Sequence, residues 1–344
     1  MANRISSSAK IACPLAAVAA IVLIIVAAFQ VVSLHYALLV VIPYIAVAIF
    51  IGGFIYRIVN WGNSPVPFNV PTVCGQEKSL EWIKQDKIES PSGYAGVVVR
   101  MALEMFLFRS LFRNSRVEQT SQQKLVYGGN RWLWLGGLAF HWSLLIILFR
   151  HLRFFTEPVL SPVIWLTGVD GVLQLALPAL YITDFIILVA LTYLFLRRVL
   201  FSQLRYISLA SDYLALFLIM GVAISGVLMR AVFKVDLVAV KELAISIISF
   251  HPAVPDGIDL PFYIHLVLVC TLIVYFPFSK MMHALGILFS PTRNLINDSR
   301  MIRRLNPWNR PVRVHTYTEY ENEFREPMRK AGLPLEVDKT TVEQ

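Results

Sequence analysis

Charge is what this chain has least of. Asp, Glu, Lys and Arg make up only 15% of its residues against 57% apolar ones, and the mean hydropathy is +0.63. An ordinary soluble domain does not have this balance, so the chain reads as an integral membrane protein. Cysteine is scarce too. Cys13, Cys74 and Cys270 are scattered and form no C-x-x-C run, which argues against an iron–sulfur cluster held by this chain and against covalent c-type haem. Repeats and low-complexity tracts are missing. The first apolar stretch runs into more apolar chain instead of a small-residue cleavage site, so it reads as a retained helix. Lys10-Ile11-Ala12 before Cys13 makes a poor lipoprotein-type site.

The longest uncharged stretch, Ile11 to Tyr56, would run roughly 70 Å as one helix, more than twice a bilayer core of about 30 Å. It must fold as a hairpin, with Gln30, Ser33 and His35 marking the turn and spans near 11–31 and 36–58. Further spans are expected near 132–152, 179–197, 209–229 and 262–289. The expected fold is all-α with six transmembrane helices. It divides into a hairpin (1–58), a cytoplasmic loop with an interfacial helix (59–131), a four-helix core (132–289) and a cytoplasmic tail (290–344).

With the N-terminus inside, 26 of the 31 Lys and Arg residues fall on the inner side, and only Arg150, Arg153, Arg230, Lys234 and Lys241 fall outside. That bias puts both termini in the cytoplasm and the protein in the cytoplasmic membrane. The net charge of +9 then belongs mostly to the inner membrane face, where anionic lipid or an acidic partner uses it, and it needs no nucleic acid as partner.

Two soluble parts remain. The loop opens with Pro65, Pro67 and Pro71 and runs into the apolar stretch 97–112. As one helix, that stretch sets Arg100 and Glu104 roughly opposite Arg109, Arg113 and Arg116, giving either an interfacial helix with snorkelling arginines or a docking surface for a cytoplasmic subunit. The tail, too short for its own core, reads as an extended arm on a partner, or as disordered chain.

Four histidines carry the chemistry. Polar rings within apolar spans cost several kcal/mol unless satisfied, and His141, His151, His265 and His283 stand on only two spans. The third and sixth spans run antiparallel, so His151 levels with His265 and His141 with His283. Axial ligation of two stacked b-type haems accounts for all four, since two imidazoles across a gap make a low-spin site suited to electron transfer. His265 and His283 are eighteen residues apart, five full turns and roughly 27 Å on one face. His141 and His151 are ten apart, about 15 Å and about 80° off in phase. The mismatch calls for tilt or a kink, and Pro277 is its source. Arg150 and Arg153 beside His151 pair with haem propionates or with lipid headgroups. His35, His251 and His315 are given no role, and Trp132, Trp134, Trp142 and Trp165 read as anchors or packing.

The segments Tyr127-Gly128-Gly129-Asn130-Arg131-Trp132-Leu133-Trp134, Phe140-His141-Trp142, Arg150-His151-Leu152-Arg153-Phe154-Phe155 and Thr72-Val73-Cys74-Gly75-Gln76-Glu77-Lys78-Ser79-Leu80-Glu81-Trp82-Ile83 resemble the DsrM family. These are the cytochrome b membrane subunits of the DsrMKJOP complex of sulfur-metabolising prokaryotes and their relatives in the Hdr-like menaquinol oxidoreductase. More distantly, the last five spans resemble NarI of respiratory nitrate reductase, whose haem ligands share the ten- and eighteen-residue spacings. The resemblance implies a two-haem, menaquinone-linked subunit of a respiratory complex linked to dissimilatory sulfite reduction. His151 and His265 would hold the outer haem and His141 and His283 the inner one. The implied partners are a cytoplasmic iron–sulfur subunit like DsrK or HdrD, and DsrJ, DsrO and DsrP.

Quinol oxidation releases protons, and Asp184, just inside the outer end of the fourth span, is the candidate acceptor, with an ion pair to Arg150 or Arg153 as the structural alternative. Lys241 and Glu242 are weaker candidates, and Asp212 and Arg205 look structural. Two rival classes stand beside the cytochrome: a transporter whose histidines relay protons, which calls for broken spans and midplane charges, and a bare anchor for soluble enzymes.

Overall fold

The computed structural model describes residues 7–64, 75–113, 115–119, 125–171, 181–290, 293–302 and 314–336. Pro65, Pro67, Pro71 and Cys74 lie outside them, as do Arg303 and Arg304 of the tail. The uncharged N-terminal stretch folds back on itself as its length requires. Helix α1 (Ser7–Phe29) ends just before Gln30, and after a 3₁₀ turn and a π turn α2 (Ile42–Gly62) returns. At the bend His35 is structural: its Nε2 lies 2.8 Å from the Phe29 carbonyl and its ring stacks on Phe29.

Then come α3 (Tyr94–Leu107), α4 (Arg109–Phe112), and a two-stranded antiparallel hairpin of β1 (Ser115–Gln119) and β2 (Leu125–Gly129), the sole sheet among the described residues. Residues of the bundle follow: α5 (Arg131–His151), α6 (Ser161–Asp170), α7 (Ile182–Leu200), α8 (Ser202–Ile207), α9 (Ala210–Leu228), α10 (Leu237–Ile248), α11 (Leu260–Tyr275) and α12 (His283–Gly286). Helix α13 (Tyr317–Lys330) opens on a Thr316–Glu319 capping box. Among the described residues, five helical segments are long and apolar enough to cross a membrane: Ser8–Phe29, Val32–Gly62, Arg131–Phe154, Ala210–Phe233 and Leu260–Phe278. Helix α7, with 19 residues, packs between α5 and α9 and carries its charges at its ends, Asp184 in the first turn and Arg197 and Arg198 in the last.

Packing runs from α5 to α7, α7 to α9 and α9 to α11. Helix α1 lies against α9 and α11, and α2 against α11. Helices α5 and α7 approach closely because residue 136 is glycine; a Cβ there would stand 2.6 Å from the Tyr193 ring. Three apolar clusters fill the bundle. Ile187, Leu191 and Leu216 join α5, α7 and α9; Val18, Tyr213, Phe217, Leu218 and Leu268 join α1, α9 and α11. At the far end Ile25, Leu38–Val40, Val240, Leu243 and Phe262 close over with α10, which lies in the connection between the expected fifth and sixth spans. Asp236 starts α10 by accepting from the Val238 and Ala239 amides.

The sixth span departs from expectation. Pro277 does not kink one long helix; α11 ends at Tyr275, and a 3₁₀ turn (Phe276–Phe278) leads to extended backbone at Ser279 (φ −111°, ψ 175°), a second 3₁₀ turn, and α12. The missing proline N–H removes one rung, and Arg57 of α2 holds the Pro277 carbonyl through Nε at 3.3 Å.

Residues 75–113 and 293–302 form one platform at the near end of the bundle. Arg100, 2% exposed, donates to the carbonyls of Glu89, Arg293 and Leu295. Glu89 binds Arg109 and Arg113, Glu104 binds Arg293, the Asn297 amide donates to Pro91, and the Ser299 hydroxyl donates to Glu77. The first part of the tail is therefore packed within the chain, not laid out as an arm. Stretch 97–112 is not one helix either: Phe108 takes a left-handed conformation (φ 49°, ψ 47°) that turns Arg109 and Arg113 back to the Glu89 side. Helix α3 keeps Arg100 and Glu104 inward and shows Val98 and Phe106 outward. The Trp134 and Trp142 indoles donate to the Leu107 and Phe106 carbonyls, which ties the end of α3 to α5.

Candidate functional site

The two histidines of each expected level come together. At the far end, His151 closes α5 and His265 sits in the second turn of α11, with ring centroids 6.5 Å apart and planes at 17°. At the platform end, His141 of α5 meets His283 at the start of α12, with centroids 5.9 Å apart and planes at 85°. His151 and His283 are exposed and His141 and His265 half-buried.

Three of the rings are oriented by a backbone carbonyl and the fourth by a serine hydroxyl. The Nδ1 atoms of His141, His151 and His283 lie 2.7, 2.7 and 2.8 Å from the carbonyls of Gly137, Ile147 and Lys280. A carbonyl only accepts, so Nδ1 carries the proton. His265 Nδ1 lies 2.9 Å from Ser225 Oγ, and that hydroxyl donates to the Val222 carbonyl at 3.0 Å, so it presents a lone pair to the ring. All four imidazoles are thereby held as the tautomer with a bare Nε2, the form in which histidine ligates a metal. Glycine at 226 leaves the His265 ring its place; a Cβ there would be 3.3 Å from Cε1.

Ring centroids 6.5 and 5.9 Å apart leave room for one metal between two imidazole nitrogens, each bond being about 2.0–2.1 Å. Among the described residues no three His, Cys, Asp or Glu side chains cluster. Paired axial ligands suit a macrocycle, whose own nitrogens complete the metal's coordination, where a bare ion needs three or four protein ligands. Phe108 and Phe140 stand edge-on to His141, each 4.9 Å away.

Beside His151 lies a closed ionic network. Arg150, 6% exposed, reaches Asp184 at 2.9 Å and Asp170 at 3.1 Å. Asp170 also accepts from the Thr183 amide and hydroxyl at 2.9 and 2.7 Å. The Arg150 and Arg230 guanidiniums lie 3.6 and 3.9 Å from the Tyr181 ring centroid. Of the alternatives weighed for Asp184, the structure shows the ion pair, and Arg150 is held by protein carboxylates. Arg153 lies 5.9 Å from the Phe154 ring centre. Lys241 pairs with Glu157, and Asp212 pairs with Lys280 and Arg198. The sequence reading missed Asp170 and Ser225. For Asp170 the signal was present, as a lone carboxylate between Glu157 and Asp184 in an otherwise uncharged stretch.

Residues 90–304 match the nitrate reductase gamma subunit family, a range that contains all four histidines and leaves α1 and α2 outside. The chain belongs to that family. It is also similar, at 47% identity over 278 residues covering 78% of this chain and 82% of the relative, to the Hdr-like menaquinol oxidoreductase cytochrome b-like subunit of Archaeoglobus fulgidus. The corresponding subunit of Archaeoglobus profundus is 46% identical over 273 residues, 77% of this chain and 81% of that one. This gamma-subunit relationship makes the chain a multi-pass membrane protein of cytochrome b type with a role in redox chemistry, and the paired imidazoles are the feature of its fold suited to that role.

Proposed function

We propose that the chain holds two haems b, one between His151 and His265 and one between His141 and His283, and passes electrons between menaquinol and a cytoplasmic iron–sulfur subunit. The observation that carries the reading is the common Nδ1 anchoring of four imidazoles in two pairs. Such haems supply one-electron carriers with no open position for substrate. The chain's own part is to fix the rings, exclude lipid from them and set the charge around them.

In this reading both termini lie in the cytoplasm, on the strength of 26 of 31 basic residues. Helix α3 then rests in the headgroup layer, apolar side toward lipid. Arg153 serves haem carboxylates at the far end, and Asp184 takes the quinol proton as its Arg150 contact opens. The iron–sulfur partner is one similar to DsrK or HdrD, in a sulfur-linked complex with subunits like DsrJ, DsrO and DsrP, docked on the platform.

Single histidine variants read by pyridine haemochrome and low-temperature spectra test the assignment. Purified protein is expected to hold about two haems per chain, a stoichiometry set by two bis-imidazole sites. His141→Ala and His283→Ala should each delete one and the same haem, and His151→Ala and His265→Ala the other. Loss on substituting one member and none on substituting its mate overturns the pairing. A haem-free protein that still reduces its partner ends the reading.

A further inference from the structure

At the platform end the bundle opens into a cavity of about 520 Å³, lined by Arg57 of α2, Arg198 of α7, Asp212 of α9, Tyr275 of α11, and Lys280 and His283 beyond the helix break. Three cations and a single carboxylate face it. The carboxylate is saturated: Lys280 Nζ lies 2.8 Å from Oδ1, and the Leu209 amide and Arg198 lie 3.0 and 3.9 Å from Oδ2. The cavity wall therefore keeps an excess of two positive charges beside a candidate ligand. At the far end the buried cation is instead matched, since Arg150 there meets two carboxylates.

An excess of this size beside apolar helix surface suits an anion of matching charge. We propose that Arg57, Arg198 and Lys280 form a dicarboxylate site that receives the two propionates of the haem held by His283. Helix α2, helix α7 and the segment past the break each contribute one cation, and the break at Ser279 is what brings Lys280 round to Asp212. Arg57 ties the break to α2 through the Pro277 carbonyl, so site and ligand turn are fastened together. The inference rests on the two-haem reading above. The same cations would also suit a lipid phosphate, and the test separates the two.

Optical redox titration of full-length, haem-loaded protein in membranes is the measurement. Lys280→Gln decides it, because the side chain is 73% exposed and Asp212 keeps the Leu209 amide and Arg198 when Lys280 is replaced. Losing a cation disfavours the added electron, so the haem that His283→Ala deletes should become harder to reduce, with its oxidised-to-reduced ratio at fixed potential rising about tenfold, or ~59 mV for a one-electron couple. Arg57→Gln and Arg198→Gln should act in the same direction and Lys280→Arg should restore the wild-type value. Asp212→Asn should shift the same haem the opposite way, which a merely structural role does not produce. Two haems present with neither midpoint moved, or only the other haem moved, overturns the proposal. So does an unmoved midpoint combined with a lost stabilisation by phosphatidylglycerol vesicles, which assigns the cavity to lipid phosphate. Wild-type protein without haem instead sinks the underlying reading, and this inference with it.

Discussion

The two ends of the bundle solve one problem, holding a pair of imidazoles, with opposite electrostatics. Beside His151 the buried charge is closed on itself: Arg150 lies between Asp170 and Asp184 and stacks on Tyr181, with Arg153 outside that network. Around His141 and His283 the cations outnumber the carboxylate and line an open cavity. A closed network gives stiffness and cannot take an ionic ligand without being broken. An open one is tuned by whatever enters it. The helices teach the same lesson, since both far-end ligands lie on regular α-helix, while at the platform end one of the two lies past a break.

The largest effect that would test this contrast comes from Arg150→Ala. Asp170 would be left buried and Asp184 half-buried without their cation, which costs about 3–5 kcal/mol; thermal unfolding in detergent should fall steeply and the His151–His265 haem should be the one lost. If the platform-end haem goes first, the far end is not the rigid one. A smaller effect is expected from Ser225→Ala. His265 is the one ligand oriented by a side chain, and removing such a support typically weakens a metal site ~10–100-fold. Haem-transfer kinetics to apomyoglobin should show faster loss from that pair alone. Smallest of all is Lys241→Gln. Its pair with Glu157, whose side chain is 68% exposed, is worth about 0.2–1 kcal/mol, so a melting shift comparable to that of Arg150→Ala would mean the far end is held at its rim and not in its interior.

How much of this was legible follows from whether a signal was local. The depth pairing of histidines was readable from the direction of two spans, whereas the eighteen-residue spacing does not make five continuous turns, since α11 ends at Tyr275. The hairpin at Gln30 was readable from length alone. The break was only half visible: Pro277 announces a lost hydrogen bond, but Ser279 and Lys280 turn away because of Arg57 and Asp212, two partners distant in sequence. Asn297, fully buried, gives no local sign of burial; its place depends on Pro91 and Ser90, some two hundred residues earlier. Polar residues bury only where distant partners satisfy them, so the platform was out of reach of a reading built on hydropathy. Helix α10 was within reach, with Asp236 before an apolar run, and was hidden by the assumption that what joins two spans is loop.

The interruption after Tyr275 also changes what the chain tolerates in length. On α5, one inserted residue between His141 and His151 would swing one ring about 100° around the axis and out of its pair. Between Phe276 and His283 the ring position is set by turns and by the contacts of Arg57 and Asp212, with no continuous helical rise behind it. An added or lost residue there can be taken up by the extended backbone at Ser279. One partner of the platform-end pair is thus indexed by helix geometry and the other by anchoring, which makes that side of the molecule the one free to drift in length while its imidazoles stay opposed.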